Sequence, residues 1–453
     1  MSKDLSLLQP ELVMMVIVAL MILAEMARRP LVVLWLGLSG LAVATGLSLP
    51  LLGADASVFG GTYRIDLLST WAKLILLPGT ALSLVLARAE LAGKMREGSV
   101  YSLLVLVTLG ALMLAGAGDM MLLVLGVVLT GLGSFALVAW PGDDRATEAA
   151  MKYLVFGAVT GAVMTYGLTF WFGGAGTTLF SALTKLQGGV VMVAGLVAVI
   201  VGLGYKAALV PFHFWAPDAY DGAPVSVAAY LSVITKIAAL FALAQVLRDL
   251  SPQTGWPLVI ALVAALTMTY GYLAALVQTN MVRLMAYSSV AQSGYFLLGI
   301  VAVGVNALSL QSLIVFGAAY VAMNLGVFAV VMVQGRQLDE FRGMGRSAPA
   351  MGVAMVILLL SLAGIPPLFG FVGKALLFAA AIDAGFTWLA VIAILNSVLS
   401  LAVYLRIMVP MYQPPAEGEA AVSGRPLSGL VIALTTAITL LSGVAVQLLL
   451  NAM

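Results

Sequence analysis

Three lysines and the only histidine of this 453-residue chain lie in or beside long apolar runs. Lys206 and His213 fall in GLGYKAALVPFHFW, Lys236 ends AAYLSVITK, and Lys374 ends GIPPLFGFVGK. A lysine at the centre of a bilayer costs roughly 2.5–3.5 kcal/mol on insertion scales. Such residues are tolerated beside a partner or a water-filled space, where a lysine can bind and release protons.

This set of residues favours a proton relay, with structural pairing of the lysines as the alternative. The ordinary pKa of histidine, ~6.5, suits proton exchange near neutral pH, and His213 follows Lys206 by seven residues. A fourth lysine, Lys73, lies early in its apolar run. We expect its flexible stem to carry the ammonium to the membrane surface.

The composition identifies a membrane protein, because 63% of the residues are hydrophobic and only 9% are charged. Soluble domains carry about 25% charged residues. The chain has no cysteine, which excludes disulfides, iron–sulfur clusters and thiolate metal sites. The single histidine also disfavours haem ligation, so we expect no cofactor on this chain and any electron transfer on another. No basic patch indicates nucleic-acid binding.

The apolar runs are long enough to cross ~30 Å of hydrocarbon as helices. They predict an all-α polytopic membrane protein with fourteen transmembrane helices. The approximate bounds are 11–27, 30–50, 66–87, 100–117, 119–140, 149–172, 188–212, 224–247, 256–277, 287–305, 308–334, 349–366, 386–411 and 427–450. A half-helix at 368–384 is predicted to continue the twelfth span after Pro366 and Pro367.

The basic residues separate between the two sides of this arrangement. Only Arg64, Lys185 and Arg248 fall in even-numbered loops. The odd-numbered loops hold Arg28, Arg29, Arg88, Lys94, Arg96, Arg145, Lys152, Arg283, Arg336, Arg342, Arg346, Arg406 and Arg425. Basic loops remain in the cytoplasm, so both termini are predicted outside.

Two spans contain a proline break, one near Pro211 and one at Pro366 and Pro367. Paired broken helices in the two halves of a transporter-like chain are typical of inverted repeats. We therefore predict one membrane domain over 1–453. It divides into N-terminal helices (1–99), a first repeat (100–250), a second repeat (251–412) and a C-terminal helix (413–453).

Several stretches resemble the antiporter-like subunits of respiratory complex I, a family of proton-conducting membrane transporters. They are the segment from Gly202 to Lys236, EAAMKY at 148–153, NMVRLMAYSSVAQSGY at 280–295 and GIPPLFGFVGK at 364–374. PDAYDGAP with a lysine in the following helix resembles the N-type subunits. The L and M types and the multisubunit sodium/proton antiporters usually have histidine at the position of Lys236.

The resemblance implies two inverted five-helix repeats with the seventh and twelfth helices broken. It also implies a proton path through Lys206, Lys236 and Lys374, with His213 as the histidine of the PFH motif. As a subunit of a proton-translocating NADH:quinone oxidoreductase, the chain is expected in a bacterial inner membrane beside K-type and M-type neighbours. FMN, iron–sulfur clusters and quinone are expected on partner subunits.

Two departures remove titratable groups that the family usually carries. Val128 stands where relatives have a glutamate in the fifth helix, and Gln292 where many have histidine. No carboxylate within a span is evident beside Lys206, since Asp119 lies nine residues before Val128. Three hypotheses remain: a proton-translocating subunit of a complex I-type enzyme, a chain of a cation/proton antiporter, or a structural subunit that does not pump.

Overall fold

The computed structural model describes residues 2–186, 188–414 and 426–453, with side chains from residue 5 onward. Its α-helices are α1 (Ser2–Leu7), α2 (Gln9–Met26), α3 (Pro30–Ser48), α4 (Leu67–Leu91), α5 (Glu97–Ala115), α6 (Met120–Ala139), α7 (Asp144–Ala175), α8 (Val190–Lys206), α9 (Trp215–Gly222), α10 (Val225–Tyr230), α11 (Lys236–Leu247), α12 (Trp256–Leu276), α13 (Met281–Val301), α14 (Leu308–Gln334), α15 (Met344–Ser347), α16 (Pro349–Ala363), α17 (Phe369–Asp383), α18 (Thr387–Met411) and α19 (Pro426–Asn451). A π-helical turn, Leu231–Thr235, joins α10 to α11 into one continuous helix.

Twelve helices in the described part of the chain are long and apolar enough to span a membrane, counting α10, the π turn and α11 as one. The helical polytopic membrane fold is therefore confirmed. The helices α8 and α16 are shorter, and each precedes a predicted break. The total of fourteen crossings and the inverted repeats stay predictions, and Arg425, used in the charge count, lies outside the described residues.

Capping residues, more than hydrophobicity, set where several helices begin. The tenth span was predicted from residue 287, but α13 begins at Met281, because the side chain of Asn280 accepts hydrogen bonds from the backbone N–H groups of Val282 and Arg283. Likewise α7 begins five residues before the predicted 149, after the N-cap Asp143. These turns contain polar residues, which a count of apolar residues excludes.

A short antiparallel hairpin, β1 (Ala56–Val58) and β2 (Tyr63–Ile65), lies in the loop between α3 and α4. This hairpin was not among the elements predicted from the sequence. The hairpin leads into α4 through Asp66, whose side chain accepts a hydrogen bond from the backbone N–H of Ser69, while the Ser69 hydroxyl accepts one from the backbone N–H of Asp66.

The first break begins earlier than predicted, because α8 ends at Lys206 and not near residue 212. Ala208 has a positive φ of 56°, and Pro211 has no N–H to donate, so the helix cannot continue through this segment. The freed carbonyl of Ala207 accepts a hydrogen bond of 2.7 Å from the Ser293 hydroxyl on α13. Irregular backbone inside a membrane requires such partners.

The second break lies between α16 and α17, and the predicted half-helix at 368–384 corresponds to α17. The backbone N–H of Gly370 donates to the Ser361 hydroxyl at 3.0 Å across this break. A Cβ added to Gly370 would lie 2.0 Å from the carbonyl oxygen of Ser361, so only glycine allows this approach. The two half-helices are thereby held together around the break.

The centre of the molecule is formed by the helix Val225–Leu247 together with α13 and α14. Every residue in the most apolar 18-residue stretch of Val225–Leu247 is buried. In the corresponding stretches of α13 and α14, 94% of the residues are buried. The corresponding share is 22% in α19 and 28% in α2, which places these helices at the periphery. Lys236 therefore lies on the most enclosed helix of the described chain.

Candidate functional site

Lys236 is buried at the centre of the molecule and is hydrogen-bonded through its ammonium. Its Nζ donates to the Ser289 hydroxyl at 2.7 Å, and the same oxygen accepts from the Tyr320 hydroxyl at 2.7 Å. Ser289 in turn lies 3.3 Å from the carbonyl oxygen of Ser232. The π turn directly precedes Lys236, and such turns occur frequently at functional sites.

A line of polar groups leads from Ser288, the residue before Ser289, to Lys374. The hydroxyls of Ser288 and Tyr404 are hydrogen-bonded at 2.7 Å. The Gln292 amide donates to Tyr404 at 3.4 Å and to the carbonyl of Leu362 at 3.1 Å. Lys374 Nζ donates to that carbonyl at 2.9 Å. The structure thus places Lys236 and Lys374 at the two ends of one buried polar line, with Gln292 inside it. Within the described residues the line is interrupted between the adjacent residues Ser289 and Ser288, whose side chains share no hydrogen bond.

Lys374 is positioned by the second break. Its ammonium contacts the carbonyl oxygens of Leu362 and Ala363, the last two residues of α16. The C-terminal end of a helix carries partial negative charge and unpaired carbonyls, both of which favour a cation. The break therefore supplies Lys374 with acceptors that an unbroken helix would not offer.

Lys206 is also buried, but its ammonium has no hydrogen-bond acceptor within the described residues. It is the last residue of α8 and lies 5.7 Å from the centroid of the Tyr153 ring. Val128 on α6 and Lys206 line the same cavity. No carboxylate of the described part of the chain is hydrogen-bonded to Lys206 Nζ.

His213 lies among aromatic rings, with centroids 4.6 Å from both Phe214 and Tyr270. Its side chain is 2% exposed, and its Nδ1 has no hydrogen-bond partner within residues 2–186, 188–414 and 426–453. The structure does not join it to the polar line of Lys236 and Lys374. Its place in a relay stays a prediction.

Each of the three lysines lies over a tyrosine ring, a feature that the sequence analysis missed. The ammonium-to-centroid distances are 5.7 Å for Lys206 over Tyr153, 5.6 Å for Lys236 over Tyr220 and 4.0 Å for Lys374 over Tyr295. The negative face of an aromatic ring attracts a cation within about 6 Å. The sequence did point to these tyrosines, since they belong to the EAAMKY, PDAYDGAP and SSVAQSGY motifs on which the family resemblance depends.

The expectation that Lys73 reaches the membrane surface is wrong. Its side chain is buried, and its Nζ lies 2.9 Å from Glu11 Oε1 on α2. The Tyr63 hydroxyl on β2 donates to the same carboxylate oxygen. The pair joins α2, β2 and α4. Removing one partner of a buried pair leaves an uncompensated charge, so the pair favours a structural role.

Asp218 and Asp221, the two acids of the PDAYDGAP segment, bind a cluster of basic residues from both halves of the chain. Asp218 pairs with Lys152 at 2.9 Å and with Arg283 at 2.7 Å. Asp221 pairs with Arg145, and its backbone carbonyl accepts from Arg336 at 2.7 Å. The PDAYDGAP segment is thereby fixed to α7, α13 and the end of α14.

Burial opposes the charge of Asp218, but the hydrogen bonds from Lys152 and Arg283 outweigh it and hold the pKa of this carboxyl below its ordinary value. A lowered pKa in the folded state contributes stability above the ordinary value, which is lost only as the pH falls through the lowered one. The pairing of Asp218 is therefore intact near neutral pH, which favours a clamp over a titrating site.

A second charged cluster joins the segment before α4 to the end of α11. Arg248 pairs with Asp66 at 2.7 Å, and Arg64 pairs with Asp249. The Gln245 amide donates to Asp66 and, at 3.0 Å, to the carbonyl of Ala115 at the end of α5. These contacts hold three helix ends together on one side of the molecule.

Comparison with known proteins gives consistent matches over nearly the whole chain. The family model described as NADH:quinone oxidoreductase/Mrp antiporter, TM, matches residues 117–400. The chain is 39% identical over 429 residues to NADH-quinone oxidoreductase subunit N 1 of Streptomyces griseus, covering 92% of this chain and 90% of the relative.

Two solved structures share the fold. A chain of respiratory complex I from Thermus thermophilus has a TM-score of 0.86 and 31% identity, with 98% of both chains covered. A chain of the Mrp complex from Dietzia sp. has a TM-score of 0.87 over 99% of this chain and 96% of that one. Its identity of 22% supports the shared fold alone.

Proposed function

This chain belongs to the NADH:quinone oxidoreductase/Mrp antiporter transmembrane family, and on that premise we propose that it is a proton-translocating membrane-arm subunit of a complex I-type NADH:quinone oxidoreductase. Protons move through a relay in which Lys206, Lys236 and Lys374 bind and release them, with His213 beside the first break. Quinone reduction, to which this movement is coupled, takes place on partner subunits.

The observation that carries this proposal is the buried polar line between Lys236 and Lys374. Hydroxyl groups accept and donate protons, so Ser289 can exchange a proton with Lys236, and Ser288 can exchange one with Tyr404. The two lysines end a line that crosses α13 and α18 and is interrupted between the adjacent residues Ser288 and Ser289. This arrangement suits lateral proton movement.

The chain works within a larger complex under this proposal. A small K-type subunit and an M-type antiporter-like subunit flank it, and FMN, iron–sulfur clusters and quinone bind to other subunits. The complex lies in a bacterial inner membrane. The names of the matched proteins, subunit N of NADH-quinone oxidoreductase and a chain of respiratory complex I, support these assignments.

The test measures the ratio of protons translocated to electrons transferred by the complete complex in proteoliposomes. Lys236→Ala and Lys374→Ala should lower this ratio while electron transfer from NADH to quinone continues. Lys185→Ala, which removes an exposed lysine, is the matched control and should leave the ratio unchanged. An unchanged ratio in both relay variants would exclude these lysines from the path.

A second candidate, a structural subunit that does not pump, is favoured by one observation. Lys206 lacks any acceptor within the described residues, so the first half of the relay is incomplete on this chain. In that case Lys206→Met leaves the ratio of protons to electrons unchanged. The third candidate, a cation/proton antiporter chain, predicts that sodium gradients alter proton movement when electron transfer is absent.

A further inference from the structure

A cavity of about 300 Å³ lies between α6, α7 and the end of α8. Apolar side chains and glycines form most of its wall, and Lys206 is the only charged residue that lines it in the described part of the chain. From α6 it is lined by Val128, Gly131 and Leu132, and from α7 by Gly157, Gly161 and Ala162. A cation therefore borders a space whose other surfaces cannot balance its charge.

The ammonium of Lys206 borders the cavity at Gly131. A Cβ added at Gly131 would lie 4.0 Å from Lys206 Nζ, so the missing side chain leaves the ammonium open to the cavity. Lys206 is 1% exposed, and its Nζ has no acceptor in the described part of the chain. Leaving a buried charge unpaired costs roughly several kcal/mol, even after the surrounding protein relaxes. The cavity thus offers a site for an anion that the described residues do not supply.

The cavity opens on the outward faces of α6 and α7. Val128 is 47% exposed, Leu132 is 60% exposed and Leu154 is 37% exposed at its rim. The apolar surface continues along both helices through Leu125 and Val159. Lipid chains can cover such a surface, but they cannot neutralise an ammonium.

The depth of the cavity excludes a lipid headgroup as the anion. Val128 and Gly131 follow the N-cap Asp119 by nine and twelve residues, which is about 13 and 18 Å along a helix. This distance places them near the middle of a hydrocarbon layer of ~30 Å. An anionic group at that depth has to be carried by a protein side chain or by a fatty acid.

We propose that the cavity receives a carboxylate side chain from a transmembrane helix of a neighbouring subunit, packed on the α6–α7 face and paired with Lys206. This inference rests on the proposed function, because it supplies the partner that the first relay lysine lacks. An opposite charge within about 4 Å stabilises both groups in a medium of low dielectric. Gly157 and Gly161 give the entering side chain room between the two helices.

Contact is tested by photo-crosslinking in the complete complex. Benzoylphenylalanine in place of Val128 is illuminated, and the product is identified by mass spectrometry. The expected product is a transmembrane segment of another subunit with an aspartate or glutamate within one turn of the crosslinked residue. The same group in place of Leu266, exposed on α12, is the control and should not yield this segment. Crosslinks to lipid alone, or to a segment without an acid, would overturn the proposal.

Pairing is tested by removing both charges. The amide variant of the identified acid and Lys206→Met should each lower the proton-to-electron ratio, and the double variant should lower it no further. Val128→Glu should restore the ratio lost with the neighbour's acid, whereas Leu125→Glu, one turn away and outside the cavity, should not. Additive losses, or no restoration by Val128→Glu, would contradict the pairing. A crosslink without any effect of these variants would contradict the relay through Lys206 and leave the contact standing.

A variant that fills the cavity tests the entry route on this chain alone. No atom lies within 4 Å of a Cβ added at Gly161 or at Gly173, both on α7, so leucine is accommodated at either position. Gly161→Leu should abolish the crosslink from residue 128, and Gly173→Leu, outside the cavity, should retain it. An undiminished crosslink in Gly161→Leu would place the neighbour elsewhere.

Discussion

Among the described residues, tyrosine rings rather than carboxylates face Lys206, Lys236 and Lys374, the three lysines of the proposed relay. A carboxylate beside an ammonium holds the proton firmly, because the two opposite charges attract strongly at low dielectric. An aromatic ring stabilises the ammonium by about 0.5–2 kcal/mol and carries no net charge. The rings of Tyr153, Tyr220 and Tyr295 therefore reduce the cost of burying a charged lysine and still allow it to lose its proton.

Tyr220 provides a clean test of this role, since its hydroxyl has no hydrogen-bond partner within the described residues. Tyr220→Phe keeps the ring over Lys236 and should leave proton translocation close to that of the unchanged complex. Tyr220→Leu removes the ring, withdraws on the order of 1 kcal/mol from the charged form of Lys236, and should lower the proton-to-electron ratio. The ratio is measured in proteoliposomes at matched rates of electron transfer. Equal effects of phenylalanine and leucine would show that the ring is not used.

At the residue scale, the sequence singled out the three lysines of the candidate site but did not reveal what surrounds them. The free-energy cost of placing a lysine inside a bilayer singles out Lys206, Lys236 and Lys374 without any structural information. Their tyrosine and carbonyl neighbours come from helices far apart in the chain, so no local pattern reveals them. Lys73 shows the limit of predicting from sequence alone. Its position near a helix end suggested that its ammonium reaches the membrane surface, but the fold brings Glu11 beside it.

At the scale of elements, the prolines located both breaks, but the structure of each break depends on neighbouring helices. The end of α8 at Lys206 is fixed partly by Ser293 of α13, which binds the carbonyl that the break frees. The π turn before Lys236 has the sequence LSVIT, with three β-branched residues, a composition that does not distinguish a π turn from an α-helical one. The turn and α10 pack against α14, and packing outweighs local preference in an enclosed helix.

The clamp on the PDAYDGAP segment gives a prediction about stability. Asp221 is 13% exposed and contacts three arginines, so Asp221→Asn should lower the free energy of unfolding by about 2 kcal/mol, between the values for exposed and buried pairs. Asp218→Asn should cost less, because its side chain is more exposed. Thermal unfolding of the detergent-solubilised complex measures both.

Glu148→Gln is the matched control for the clamp. Glu148 pairs only with Lys152 among the described residues and is 69% exposed at its side chain, so its loss should leave the unfolding temperature unchanged. A decrease as large as that of Asp221→Asn would mean that charge at this surface, and not the clamp itself, sets the stability.

At the scale of the whole molecule, the two charged clusters support the alternation of loops predicted from the sequence. Arg145, Asp221, Arg283 and Arg336 come from the predicted fifth, seventh, ninth and eleventh loops, and they meet in one cluster. Arg64 and Asp249, from the second and eighth loops, meet in the other. Loops of the same parity lie on the same side of a membrane, so the two groupings are those expected from the predicted order of spans.

The orientation of the whole molecule follows from the charges in these clusters. The cluster of odd-numbered loops contains the larger share of arginine and lysine, and basic loops remain in the cytoplasm. The predicted fourteen crossings return the chain to the side on which it began. We therefore predict that alkaline phosphatase fused after Met453 is active in the periplasm, and that green fluorescent protein at the same position is dark. The same reporters in the loop after Trp140, on the opposite side, should give the reverse pattern. A fluorescent fusion after Met453 would show that the number of crossings is odd or that the molecule is inverted, and the reporters after Trp140 distinguish these two cases.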